Sequence, residues 1–195
     1  KGTLSGVLGG PLLAEELTSG QFGVGVLGAK NKKVFETVQP LFEGTPLVLE
    51  YQKDSTAVAY ASVLKNIYAV ALGIAEGLGW GWNGRGWLCA RGLQEMSRVI
   101  KALCGGAEVI HGTAGAGDFF ATALSPDSFN HQTGRQIALM GKCEAPSEGC
   151  RAVGNLLKVL NGRGTDLPIL YALDHIINQD ADPKTVFENL LGVRA

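Results

Sequence analysis

Residues 57–75 read AVAYASVLKNIYAVALGIA, an apolar stretch broken once, by Lys65-Asn66. Wound as a helix it is apolar all round, and such a helix is stable only with most of its faces buried. A membrane would supply that burial. Lys65-Asn66 cuts the stretch in half, however, and a span needs about twenty apolar residues in a row. The segment therefore predicts a core helix over residues 56–77, with other elements wrapped around it. Material to cover it is present: 46% of the 195 residues are hydrophobic and only 18% charged. A formal net charge of −1 excludes the basic surface that nucleic acid requires. Seven prolines without a Gly-X-Y period exclude collagen, and the apolar content excludes disorder. The 28 glycines are roughly twice the usual share. They fall singly and in pairs, which points to turns and close backbone approaches rather than a linker.

The first fifty residues alternate in kind. Residues 22–29 (FGVGVLGA) and 46–51 (PLVLEY) have strand length and composition. A brief helix fits residues 12–17. Another fits 31–42, with Asn31 as its cap. Strand, helix, strand reads as α/β material. From Asp54 onward no strand is convincing. Trp87, Ala90, Leu93, Met96, Ile100 and Leu103 recur at helical spacing over residues 84–104. Residues 118–124 are a short apolar stretch, and 130–140 another helix. Ser147 can cap a helix that Asn161-Gly162 stops, Asp166 precedes one starting at Leu167-Pro168, and Asp182-Pro183 opens the last. Six or seven helices thus cover roughly the last 140 residues. Cys89, Cys104, Cys143 and Cys150 form no C-x-x-C pair and, with three histidines, no zinc spacing, so no metal site is expected. They read as reduced thiols, most of them buried, in a cytoplasmic setting. Residues 2–11 are too short and polar for a signal-peptide core.

Three segments are out of place in a plain helical core. A lysine in an all-round apolar helix either snorkels or sits desolvated beside a partner. Desolvation makes an ammonium give up its proton more readily, which is how proton donors are tuned. Asn66 is a second polar oddity next to it. GTAGAGDFFAT (112–122) packs three glycines ahead of Asp118, and Asp118 and Thr122 share a helix face. Its G-x-G lacks the spacing and the preceding strand of a dinucleotide fingerprint, so a capping aspartate is the bland alternative. In SPDSFNHQTGR (125–135), Asn130, His131 and Arg135 could gather round a phosphate at a helix start. A solvated loop explains that segment equally well.

In this order the segments resemble the bacterial-type NAD(P)-dependent glycerol-3-phosphate dehydrogenases. The matches are GGPLLAEEL (9–17), Asp54 with Lys65-Asn66, EGLGWGWN (76–83), ARGLQEMSR (90–98), GTAGAGD (112–118) with Thr122, DSFN (127–130) and SEG (147–149). The resemblance implies a mainly α fold: a multi-helix domain of the 6-phosphogluconate dehydrogenase C-terminal-like type over residues 54–195. A short α/β remnant of a Rossmann-like nucleotide domain would precede it over residues 1–53. It implies an oxidoreductase interconverting dihydroxyacetone phosphate and sn-glycerol 3-phosphate with NAD or NADP, as a homodimer with no membrane span. Lys65 matches the proton donor and acceptor, and Asp118 its catalytic partner. Gly10, Asn66, Thr122, Ser128 and Asn130 match substrate-binding positions, and Ala14 and Glu148 cofactor-contacting ones. We expect Lys65 and Asp118 within hydrogen-bond reach, with Asn130 on the same cavity.

Three departures bear on that carry-over. The family's Gly-Pro-Ser/Thr is Gly10-Pro11-Leu12, without the hydroxyl. Its Ser-Arg-Asn is Ser128-Phe129-Asn130, without a bidentate phosphate donor. Arg135, His131 or Arg91 would have to replace it, or the ligand differs. The third is the G-x-G-x-x-G turn, which this chain lacks; Lys1-Gly2 stands too close to Gly10 for the family's upstream substrate lysine. The chain is therefore expected to be the rear part of a longer protein. Two other readings stay open: a related dehydrogenase or inactive paralogue with another small phosphorylated or hydroxylated ligand, and a helical dimerisation module using Trp80, Trp82 and Trp87.

Overall fold

A computed structural model describes residues 5–163 and 166–192, so Lys1-Gly2 lies outside the described residues. Strands β1 (Val7–Gly9), β2 (Gly23–Gly28) and β3 (Leu47–Gln52) form one sheet in that order. β1 runs antiparallel to β2 with Val7 opposite Gly28, and β2 parallel to β3 with Gly23 opposite Leu47. Helix α1 (Ala14–Thr18) joins the first two strands, and α2 (Lys32–Val38) is the crossover the parallel pair needs. Asn31 caps α2, accepting the Lys33 amide at 3.0 Å. The helix expected to reach residue 42 changes character after Val38. Pro40 has no amide to donate, and Gln39–Phe42 turns as a 3-10 segment.

Seven α-helices follow among the described residues, with no further strand. They are α3 (Ser55–Gly77), α4 (Trp82–Leu103), α5 (Asp118–Leu124), α6 (Phe129–Met140), α7 (Glu148–Leu160), α8 (Pro168–Asn178) and α9 (Pro183–Leu190). Asp54 starts α3 by accepting the Ala57 amide at 2.9 Å. Ser147 and Asp182 cap α7 and α9. α3 is long and apolar enough to cross a membrane, but 67% of its most apolar window is buried inside the protein. Helices α4, α5, α6 and α7 all pack on it. Leu64, Ile67, Val70 and Ile74 are fully covered, each burial stabilising by roughly 1.5–3 kcal/mol. α6 lies directly against α3. A Cβ at Gly134 would come within 2.8 Å of the Ile74 amide and 3.0 Å of Gly73 Cα.

Three expectations need correction. The covered face of α4 is Leu88, Gly92, Glu95, Met96, Val99 and Ile100, turned from the expected stripe so that Ala90 is exposed. The turn lets Gly92 face the Tyr68 ring and carries a carboxylate inward. Helix α8 does begin at Pro168, but Asp166 does not cap it. Glu95 accepts the Ile169 and Leu170 amides at 2.8 and 3.1 Å, while the Asp166 carbonyl takes Arg98 at 2.8 Å. The four thiols are free, but only Cys150 is buried; Cys89, Cys104 and Cys143 are partly exposed.

Candidate active site

Lys65 lies halfway along α3, where neighbouring helices enclose its stem but leave the side chain 20% exposed. Its partner comes from a different kind of backbone. Thr113–Gly117 winds as a π turn, a geometry common at functional sites, and delivers Asp118 as the first residue of α5. The Asp118 carboxyl is 2% exposed and meets Lys65 Nζ at 2.5 Å through Oδ1. Its other oxygen accepts the Gly10 amide at 3.2 Å, and the Thr122 hydroxyl donates to Oδ1 at 3.5 Å. Gly10 holds φ at +113°, and a Cβ there would sit 2.5 Å from the Val24 carbonyl, so no other residue fits this turn without strain. Burial pushes the Asp118 carboxyl above its ordinary value, while the Lys65 ammonium, the Gly10 amide and the Thr122 hydroxyl pull it back.

A second group assembles beside this one around the start of α7. The Asn130 side-chain oxygen accepts the Gly149 amide at 2.9 Å, and Asn66 Nδ2 donates to Glu148 Oε2 at 3.4 Å. Gly149 sits so close that a Cβ would run into the Asn66 carbonyl and approach Asn130 Oδ1 to 2.9 Å. With its oxygen committed, Asn130 has its amide N–H groups to offer a ligand. Gly149 lies within the family-matching SEG (147–149), but its close approach to Asn66 and Asn130 has no signal in the sequence. Ser128 is 8% exposed and uses its hydroxyl to cap α6 at the His131 amide, 3.3 Å away. Ala14 begins α1 on the exposed surface, four residues beyond Gly10.

Residues 125–135 allow two readings, and the three side chains that could gather round a phosphate point to different partners. Asn130 turns to Gly149. His131 and Arg135, one helical turn apart, both turn to Glu76, at 3.1 and 3.3 Å. Glu76 is eleven residues along α3 from Lys65, roughly 16 Å. Arg91 is exposed on α4, bonded to Gln94 at 3.2 Å. His131 and Arg135 are thus both spent on Glu76, and Phe129, where the family has its arginine, is 55% exposed. Leu12 packs over Gly23 of β2. Among the described residues no cluster of metal ligands occurs.

Residues 54–188 match the family model of the NAD-dependent glycerol-3-phosphate dehydrogenase C-terminus. The chain belongs to this family. Two relatives named glycerol-3-phosphate dehydrogenase [NAD(P)+] extend the likeness beyond the matched region. The one from Acaryochloris marina is 32% identical over 95% of this chain and 62% of its own length. The one from Deinococcus radiodurans is 34% identical over 97% and 58%. The crystal structure of glycerol-3-phosphate dehydrogenase from Coxiella burnetii superimposes with a TM-score of 0.89 at 26% identity, covering 95% of this chain and 59% of that one. The chain thus spans about three-fifths of the length of the glycerol-3-phosphate dehydrogenases it matches.

Proposed function

We propose that this chain is the substrate-binding and proton-transfer part of an oxidoreductase that interconverts dihydroxyacetone phosphate and sn-glycerol 3-phosphate. The observation that carries the reading is the Lys65–Asp118 pair, an ammonium partly open to solvent and held by a sealed carboxylate. Bound NAD(P)H would supply the hydride to the carbonyl carbon. This chain's share is the proton: Lys65 Nζ donates to the carbonyl oxygen as charge develops on it, and takes the proton back in the reverse direction. Asp118 aims the ammonium and balances its charge; Thr122 and the Gly10 amide keep the carboxylate from turning. Asn66, Asn130 and Ser128 border the substrate side, Ser128 by shaping the start of α6. Ala14 and Glu148, both exposed, are the positions here that would touch the cofactor. No glycine-rich turn able to cradle a pyrophosphate occurs in this sequence, so the residues present do not make a dinucleotide site alone, and no step is routed through one.

The match beginning at residue 54 supports ending the nucleotide-domain remnant at residue 53 and placing the all-helical domain from 54 on. A cytoplasmic homodimer is the setting this reading implies. The exposed Phe129 and the sheet-packed Leu12 favour one second reading, a family member whose ligand lacks the phosphate or whose activity is lost. To test between them, the chain is joined to a nucleotide-binding half, for instance that of the Deinococcus radiodurans relative. NAD(P)H oxidation with dihydroxyacetone phosphate is then followed for wild type and Lys65→Ala. We expect a rate that Lys65→Ala lowers about 10²–10⁴-fold. Cofactor binding without turnover in the wild type would sink the dehydrogenase reading in favour of the second.

A further inference from the structure

A cavity of about 390 Å³ lies where α3, α4, α5 and α6 meet, within the size range of small-molecule sites. Its lining is mostly apolar and includes Leu72, Trp82, Phe120 and Leu124 together with Arg85 and His131. The rim is unusual for a surface that faces water: Trp82 is 75%, Leu124 60% and Phe120 38% exposed. Trp80 and Trp87 pack against each other, and Trp80 against Phe187, leaving Trp82 free of that cluster.

The polar part of the wall is as specific as the apolar part. The Arg85 guanidinium lies 4.0 Å over the Trp82 ring and commits Nη1 to Glu76 Oε2 at 2.8 Å. Its Nε is buried and has no acceptor, the single such side-chain atom among the described residues. Buried N–H groups are almost always paired, so an acceptor is missing here. Glu76 cannot supply it: Oε1 meets Arg135, and Oε2 already meets both Arg85 and His131. Two arginines and a histidine thus share one carboxylate, and the cavity lining itself holds Arg85 and no carboxylate.

We propose that this cavity binds an amphipathic anion, a linear alkyl carboxylate. Its chain lies along Leu72, Phe120, Leu124 and Trp82, and its head meets the planar edge of the Arg85 guanidinium that is open to the cavity. A carboxylate matches that planar edge, and an alkyl chain matches the apolar lining. The cavity reaches α3 at Leu72, seven residues or roughly 10 Å along the helix from Lys65, and the inference does not rest on the dehydrogenase reading.

The test is a titration of the full chain with monomeric dodecanoate, followed by tryptophan emission and by calorimetry. 1-Dodecanol serves as the neutral chain and butyrate as the head alone. We expect saturable dodecanoate binding about tenfold or more tighter than dodecanol, with butyrate silent. Trp82→Phe should abolish the emission change and keep the heat. Arg85→Gln should bring dodecanoate down to the level of dodecanol. Should Arg85→Gln fail to fold, Leu124→Glu at the exposed rim sets a like charge at the mouth and should weaken dodecanoate about tenfold. Equal binding of dodecanol and dodecanoate, or dodecanoate binding indifferent to Leu124→Glu, overturns the proposal. So does a self-associated chain that takes up no dodecanoate.

Discussion

Asp118 and Glu95 are both sealed carboxylates, 2% and 1% exposed, and burial pushes both above the usual carboxylate range. What answers each one differs. Asp118 faces an ammonium that is itself partly open to solvent, with one backbone amide and one hydroxyl in support. Glu95 faces neutral donors: two amides at the start of α8 and the Tyr68 hydroxyl at 3.0 Å, with Arg98 exerting a weaker pull from farther off. Burial and a displaced pKa therefore do not mark a catalytic acid by themselves. The mark is a mobile charge within reach of both the carboxylate and solvent. Asp118 has it and Glu95 does not.

Isosteric amides should separate the two most sharply. Asp118→Asn keeps the shape and removes the charge that aims Lys65, so kcat per folded molecule in the joined enzyme should fall about a hundredfold or more, beyond any loss of stability from the donors it leaves unpaired. Glu95→Gln should do the reverse: kcat per folded molecule nearly unchanged, urea stability lower by about 1–3 kcal/mol because one donor loses its acceptor. Activity lost equally in both variants would remove the distinction. Gly149→Ala comes next. The added methyl has no room against the Asn66 carbonyl and should cost about 1–3 kcal/mol while loosening Asn130. Its signature is a raised KM for substrate with kcat less affected. Thr122→Val should act more mildly, lowering kcat only several-fold, because the hydroxyl reaches Asp118 at 3.5 Å, the long end of a hydrogen bond.

The same contrast explains what is legible in the sequence alone. Helices were legible where the signal was local: the apolar run of α3, the caps Asn31, Ser147 and Asp182, the stop at Asn161. Lys65 and Asp118 stood out because a charge in an apolar run and an aspartate after a glycine cluster are local anomalies too. Glu95 gave no such signal. Its partners Ile169 and Leu170 lie 74 and 75 residues away, and in GLQEMSR it looks like any solvated helix charge. The Gly10 amide on Asp118 spans 108 residues and was equally silent. Glycine was legible as a class but not one by one: Gly73, Gly134 and Gly149 carry close approaches, while Gly79, Gly81 and Gly86 face open space.

The finest test of the comparison is how stability follows pH. A carboxyl held above its ordinary value binds protons more readily folded than unfolded. Stability therefore falls as pH rises from the ordinary value, 3.8 for Asp118 and 4.5 for Glu95, up to the raised one, and is level on either side. Removing the Lys65 ammonium takes away the strongest pull against that rise. Lys65→Met should push Asp118 further up and carry its share of the fall to higher pH. Glu95→Gln removes a titrating group altogether and with it that group's share of the fall. Urea unfolding from about pH 4 to 7 should then give difference profiles of opposite slope. Lys65→Met minus wild type should decline with pH, and Glu95→Gln minus wild type should climb. Profiles of the same sign would mean that Lys65 does not govern the charge on Asp118, and the two carboxylates would have to be regarded as one kind of structural group.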